Sequence, residues 1–172
     1  MAEEQVILVD ADDREIGAMD KLAAHENGGT RHRAFSAFIV DPQGRWLLQR
    51  RAAGKYHFPG LWTNACCSHP RPGEATADAA HRRLREELGF DCPLAERFQF
   101  EYKATSAAEG LTEHELDHVF TGTWAGPVAP DPDEVAATRW VDPKALDAEV
   151  RARPETFTPW FKLAMERVRS VL

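Results

Sequence analysis

Apolar positions alternate in some stretches of the chain and recur every three or four residues in others, and the two rhythms divide it into elements. Val6 to Val9, Arg33 to Val40 and Arg45 to Arg50 read as short strands, the last two joined by Asp41-Pro42-Gln43-Gly44, residues suited to a tight turn. Aromatic and β-branched residues gather again at Arg97 to Ala104, Glu115 to Trp124 and Ala137 to Val141, between Gly- and Pro-rich breaks, and predict three further strands. Helical spacing runs from Ala75 to Leu88, with Ala77, Ala80, Leu84 and Leu88 on one stripe and Gly89 placed to close the end. Two more helices are predicted over Pro143 to Arg153 and Pro159 to Leu172, the second carrying Phe161, Ala164, Val168 and Leu172 on one side. The sheet is expected to be mixed or largely antiparallel, and Pro130 to Pro132 interrupts the chain without dividing it.

Composition narrows the class of protein. A chain of 172 residues, 43% hydrophobic, is expected to form one domain over residues 1–172 with a sizeable core. A net charge of -7 argues against a general nucleic-acid or membrane-surface binder, so any phosphate site must be local. No apolar run approaches the length of a membrane span, and Met-Ala-Glu-Glu-Gln has neither the basic start nor the apolar stretch of a secretory signal. Cys66, Cys67 and Cys92 are odd in number and the adjacent pair is poorly placed to bridge itself, so no disulfide framework is expected. These features fit a monomer in a reducing cytoplasm.

Candidate chemistry sits in three places. In an extended segment, side chains two positions apart share a face, which pairs Cys67 with His69 and Glu113 with Glu115. His25 and His32 flank Asn27-Gly28-Gly29, a segment free enough to fold both imidazoles toward one point. Three imidazoles and two carboxylates would suit Zn²⁺ or Mn²⁺ better than Ca²⁺, which prefers oxygen. Taken singly, each histidine is more often a surface or hydrogen-bonded core residue than a ligand. His57, His81, His114 and His118 fall outside the set and read as surface or supporting polarity, with His114 facing away from its glutamate neighbours.

From Ser68 to Phe90 the chain resembles a Nudix box, with Glu74, Arg82, Glu86, Glu87 and Gly89 at its spacing. In that pattern helix carboxylates hold Mg²⁺, which neutralises a diphosphate. Ser68 stands where the pattern has its first Gly, and Arg83 where it has a Glu, a change that favours holding a diphosphate over cutting it.

Beyond the box, the chain resembles the type 1 isopentenyl diphosphate isomerases, Nudix relatives that isomerise without hydrolysing, over nearly its whole length. The likeness rests on Ala23-Ala24-His25, Arg31-His32, Ala34-Phe35-Ser36, Arg50-Arg51, the runs from Phe58 to Asn64 and Cys67 to Pro70, Glu113-His114-Glu115 and Pro159-Trp160. It implies an α+β fold, a Nudix-like mixed β-sheet flanked by helices in an α/β/α sandwich. It also implies that His25, His32, His69, Glu113 and Glu115 bind one divalent metal, with Cys67 and Glu115 as the acid-base pair. Glu87 would help hold Mg²⁺ on the diphosphate, and Lys21, Arg51, Lys55 and Arg83 would contact phosphate oxygens. Tyr102 and Trp160 match active-site aromatics.

The implied substrate is a small allylic or homoallylic diphosphate, and its chemistry needs these groups. Moving an unactivated double bond passes near a tertiary carbocation, so the pocket must exclude water, and the Trp160 π face could stabilise positive charge. One proton is delivered and another removed two carbons away, which calls for an acid and a base on separate segments. Cys67, beside a metal-bound His69, is expected to gain thiolate character. Two rivals stand: a Nudix diphosphohydrolase, sustained by Glu74, Glu86 and Glu87, and a noncatalytic metal-binding module on the same fold.

Overall fold

The computed structural model describes residues 4–172. The chain begins with strands β1 (Gln5–Val9) and β2 (Glu15–Asp20), helix α1 (Lys21–His25), and strands β3 (His32–Val40), β4 (Trp46–Arg51), β5 (Trp62–Thr63) and β6 (Cys66–Ser68). Helix α2 (Thr76–Leu88), the long strands β7 (Leu94–Ser106) and β8 (Leu111–Thr123), β9 (Val135–Val141), and helices α3 (Pro143–Ala152) and α4 (Pro159–Val171) follow. All six predicted strands and all three predicted helices are present within a few residues of their expected bounds. The Asp41–Gly44 turn joins β3 to β4 by the antiparallel pair Val40–Trp46, with the Arg45 amide donating to the Asp41 carboxylate at 2.8 Å.

The sheet is mixed. β3 runs parallel to β8 over its full length, from His32 opposite Glu115 to Val40 opposite Thr123. Its other pairings are antiparallel and divided among β1 at His32, β6 at Phe35 to Ala37, and β4 at Val40. β7 and β8 form a long antiparallel hairpin that sets Tyr102 opposite Glu115, and β4 pairs with β5 and β9. Helices cover both faces, which is why β8 is buried almost without interruption and shows no polar-out alternation.

Two apolar layers follow from the strand alternation. Phe35, Ala37, Ile39 and Phe120 point to α2 and meet Ala79, Ala80, Leu84 and Leu88. Phe38, Leu48 and Val119 point the other way, to Leu146 of α3 and to Phe161, Ala164 and Val168 of α4. Full burial of Leu84 or Leu88 is worth about 1.5–3 kcal/mol each. The stripe on α2 is shifted from expectation: Ala77 is exposed and Ala79 takes its place, because the sheet covers a slightly rotated face. Gly89 does end α2 in the left-handed region at φ 71°, its amide donating to the Arg85 carbonyl at 3.1 Å. Leu172 lies beyond α4 and is 51% exposed, so it does not extend that helix's apolar stripe.

The elements that periodicity does not reveal are short or exposed. β2 has no buried residue and is held by backbone pairing to β1, while β5 and β6 have two and three residues. Helix α1 is one turn, started by Asp20, whose carboxylate accepts the Ala23 amide at 3.0 Å.

The turn from α1 to β3 is sterically the most demanding. Asn27, Gly28 and Gly29 all have positive φ, at 52°, 84° and 79°. A Cβ on Gly29 would lie 3.0 Å from Thr112 Cγ2 and 3.1 Å from its carbonyl oxygen, whereas one on Gly28 would meet nothing within 4 Å. Gly29→Ala should therefore cost more than the roughly 1–2 kcal/mol of left-handed strain alone, and Gly28→Ala close to that strain. Thermal melts of the two variants check this, and equal melting temperatures would contradict it.

Candidate metal and acid-base site

The parallel register of β3 and β8 builds the site. It sets His32 beside Glu115, and the two-residue repeat of β8 puts Glu113 on the same face. β6 leads into His69, and α1 ends on His25. His32 Nε2 lies 2.9 Å from Glu115 Oε2 and 3.2 Å from His69 Nε2, and His25 Nε2 lies 3.1 Å from Glu113 Oε2. One potential ligand atom from each of these five residues falls within 4.8 Å of the others. His25, His32, Glu113 and Glu115 are buried, and the His69 side chain is 10% exposed.

The donor set fits a cation on a specific ground. His25 Nδ1 donates to the Lys21 carbonyl at 2.6 Å and His32 Nδ1 to the Thr30 carbonyl at 2.7 Å. A carbonyl only accepts, so each Nδ1 carries a proton, and Nε2 of the neutral ring turns a lone pair to the centre. Bare imidazole nitrogens and carboxylate oxygens then face one another in a desolvated space, an arrangement that only protons or a divalent cation can satisfy. The carboxylates show this pull: burial works against their charge, yet the imidazoles hold Glu113 well below the usual range and Glu115 below it. Burial pushes His69 down to about 4 despite Glu115, which keeps that ring neutral at ordinary pH.

Glu115 is held on both sides. Its Oε2 faces His32 and His69, and Tyr102 donates its phenol to Oε1. Burial and the Glu115 charge push the Tyr102 phenol well above its ordinary value, so it stays a donor. Cys67 and Glu115 line one cavity of about 40 Å³, together with Trp160 and with Lys21, Arg51, Lys55 and Arg83. The Arg51 guanidinium is 5.5 Å from the Trp160 ring centre and 4.0 Å from the Cys67 sulfur. Thiolate character at Cys67 is not what the protein environment favours: burial pushes the thiol up to about 12, and the opposing pull of Arg51 does not offset it.

Other expectations are modified. His57 is not peripheral: it is buried, pairs with Glu113 and lies 5.0 Å from His25 between ring centres. Its position beside the Phe58–Asn64 run was the available signal. Asp117 continues the Glu113–Glu115 face at the same spacing and was also missed; it accepts the Ser36 hydroxyl at 2.7 Å, and burial with the Glu115 charge pushes its carboxyl well above the usual range. His118 is buried between Asp13 and Glu96 on the opposite face rather than exposed. His114 does face away, to Glu101 at 2.9 Å, and His81 pairs with Asp91 at 2.6 Å. Glu87 lies outside the five-residue cluster, its oxygens taken by Arg83 Nη2 at 2.9 Å and the Cys66 thiol at 2.8 Å.

The remaining box carboxylates are likewise engaged by arginine. Arg82 forks onto both oxygens of Glu74 at 2.8 and 2.9 Å, and Arg83 reaches Glu86 at 2.6 Å. Among the described residues, no helix is long and apolar enough to cross a membrane.

Comparison with known proteins agrees with this geometry. The NUDIX domain family model matches residues 30–161. The fold resembles the crystal structure of DR0079 from Deinococcus radiodurans, with a TM-score of 0.70 at 21% identity over 87% of this chain and 90% of that one. A MutT protein from Methanosarcina mazei Go1 superposes with a TM-score of 0.65 at 22% identity, over 80% of this chain and 91% of that one. The chain is thus a NUDIX-domain protein whose box is accompanied by a His/Glu cluster that could hold a divalent metal.

Closer relatives define the group within that class. An isopentenyl-diphosphate Delta-isomerase 2 of Aromatoleum aromaticum is 53% identical over 98% of this chain and 88% of its own length. An isopentenyl-diphosphate Delta-isomerase of Burkholderia multivorans is 50% identical over 96% of this chain and 93% of its own. The chain belongs to the isopentenyl-diphosphate Delta-isomerase family.

A metal in the cluster should stabilise the fold by mass action, about 4 kcal/mol at a thousandfold excess over Kd. Its affinity should fall on acidification, because the imidazoles must be neutral to ligate. His25 is the first to compete: burial alone would lower its pKa, but the Glu113 carboxylate outweighs that and raises it. The metal-induced rise in melting temperature should shrink from pH 8 to pH 5 and largely vanish in His32→Ala. A rise equal at both pH values, or unchanged in the variant, would count against the site.

Proposed function

We propose that this protein interconverts isopentenyl diphosphate and dimethylallyl diphosphate by adding a proton at one carbon and removing one two carbons away. The observation that carries the reading is Cys67 and Glu115 lining one cavity with Trp160, beside the His/Glu cluster. Protonating the terminal methylene carbon leaves a tertiary cation, and loss of a proton from the second carbon of the chain forms the more substituted alkene. Balance requires one residue that gives a proton and one that accepts it. With the Cys67 thiol pushed up and the Glu115 carboxyl held down, the protein carries that pair in opposite protonation states. The reverse direction uses the same two groups with roles exchanged.

The Trp160 ring, 3% exposed and 6.2 Å from the Tyr102 ring, offers a π face for the positive charge at the wall of the cavity. Tyr102, hydrogen-bonded to Glu115, fixes that carboxylate. Lys21, Arg51, Lys55 and Arg83 hold the diphosphate, and the alkene end extends toward Cys67. When bound, a divalent cation on His25, His32, His69, Glu113 and Glu115, Zn²⁺ or Mn²⁺ by donor type, would lower the proton affinity of Glu115, while Mg²⁺ near Glu87 would neutralise phosphate charge. The three free thiols support placing the enzyme in a reducing cytoplasm.

Against hydrolysis stands the engagement of Glu74 and Glu86 by Arg82 and Arg83 of α2, which ties up carboxylates a multi-metal centre would use. Incubation with isopentenyl diphosphate and divalent metal separates the readings: isomerised alkene is expected, and released phosphate with unchanged alkene would refute the proposal. Cys67→Ala and Glu115→Gln should each stay folded and lose about 10²–10⁴ in kcat, the usual worth of a proton-transfer group. Tyr102→Phe should lose less, and full activity in either of the first two would remove the pair from its assigned role.

A further inference from the structure

The four cations around the cavity are not waiting bare. Lys55 is ion-paired with Glu134, whose Oε2 also lies 3.5 Å from Arg83 Nη2. Lys21 pairs with Glu4 at 2.9 Å. Among the described residues, only Arg51 of the four has no carboxylate partner; it donates to the His57 carbonyl at 3.1 Å. The cavity they surround measures about 40 Å³, whereas sites for small organic ligands run to roughly 300 Å³ or more. Something at its edge must move before a five-carbon diphosphate can enter.

Glu134 is the group built to move. It sits in the turn before β9, where its carbonyl accepts the Ala52 amide at 3.1 Å and its amide donates to Asp131 at 3.0 Å, so the backbone is anchored. Among the described residues, its carboxylate, 30% exposed, receives no backbone amide or hydroxyl and is held only by the two cations. Arg83 has two further acid partners on its own helix: Glu86, at 2.6 Å and 42% exposed, and Glu87, 3% exposed and tethered by the Cys66 thiol as well. A diphosphate brings more charge and more acceptor oxygens than one carboxylate and outcompetes it for Lys55 and Arg83, while weaker anions do not.

We propose that Glu134 is a specificity-determining residue: its carboxylate occupies the Lys55–Arg83 pair as a built-in anion, and only a ligand charged enough to displace it gains the pocket. The proposal rests on Lys55 and Arg83 being phosphate contacts, and the test separates the two claims. Calorimetric titration of the full chain with inorganic pyrophosphate, with and without Mg²⁺, measures the competition directly. Glu134→Gln should bind pyrophosphate about 3- to 10-fold tighter, the scale of a partly exposed ion pair. A gain of affinity cannot arise from misfolding. In a Lys55→Met background, where the main partner to be released is gone, adding Glu134→Gln should give less than about a twofold gain. Equal or weaker binding by Glu134→Gln would overturn the proposal and make Glu134 an orienting partner of Lys55 or a metal ligand. Absence of pyrophosphate binding by the wild type would instead bring down the phosphate-contact reading, and this proposal with it.

Discussion

Five lone-pair-bearing atoms forced together under cover are the constraint on which the rest of this structure depends. His25, His32, His69, Glu113 and Glu115 converge within 4.8 Å, most of them buried. Left to themselves such groups repel and lose hydration, so the fold has to hold them by stronger means. It does so with the continuous parallel pairing of β3 and β8, and with carbonyls of Lys21 and Thr30 that fix two imidazoles by their Nδ1 protons. A cation bound among these groups would offset the cost of the arrangement and stabilise the fold through the same site.

A second balance of charge surrounds the first. Lys21, Lys55 and Arg83 are each answered by a carboxylate of the same chain, Glu4, Glu134 and Glu87. The overall charge of -7 is therefore no obstacle to a polyanionic ligand. A polyanion reaching the cavity would meet a small group of cations whose protein counter-ions it could replace. Helix α2 serves both ends: Leu84 and Leu88 bury against the sheet, and Arg83, on an adjacent face and paired with Glu87, reaches the pocket.

What distinguishes this NUDIX-domain chain from hydrolytic members is legible in that same helix. Arg83, in place of a box carboxylate, ties up Glu86 and Glu87, and Arg82 takes Glu74. The remaining reactive groups, Cys67 and Glu115, reach the cavity from β6 and β8, outside the box altogether. Under the proposed function, proton transfer at carbon is the chemistry those groups would serve.

By itself the sequence determined the elements whose signal is local. Local signals located six of the strands and the three longer helices: helical burial repeats every three to four residues, and runs of aromatic and β-branched residues between turn residues mark strands, including β8, which is buried almost throughout. Two-residue spacing joined Cys67 to His69 and Glu113 to Glu115, since a strand's pleat dictates that geometry without help from the rest of the chain. Only the tertiary structure decided the pairings between distant segments: His32 beside Glu115 in a parallel register, Tyr102 opposite it, and His57 and Asp117 drawn in around them. β2, β5 and β6 were invisible for the same reason, as strands too short or too exposed to bury a repeating face exist only through their partners. The thiol state of Cys67 followed suit, because desolvation is set by what packs around an atom and not by its neighbours in the chain.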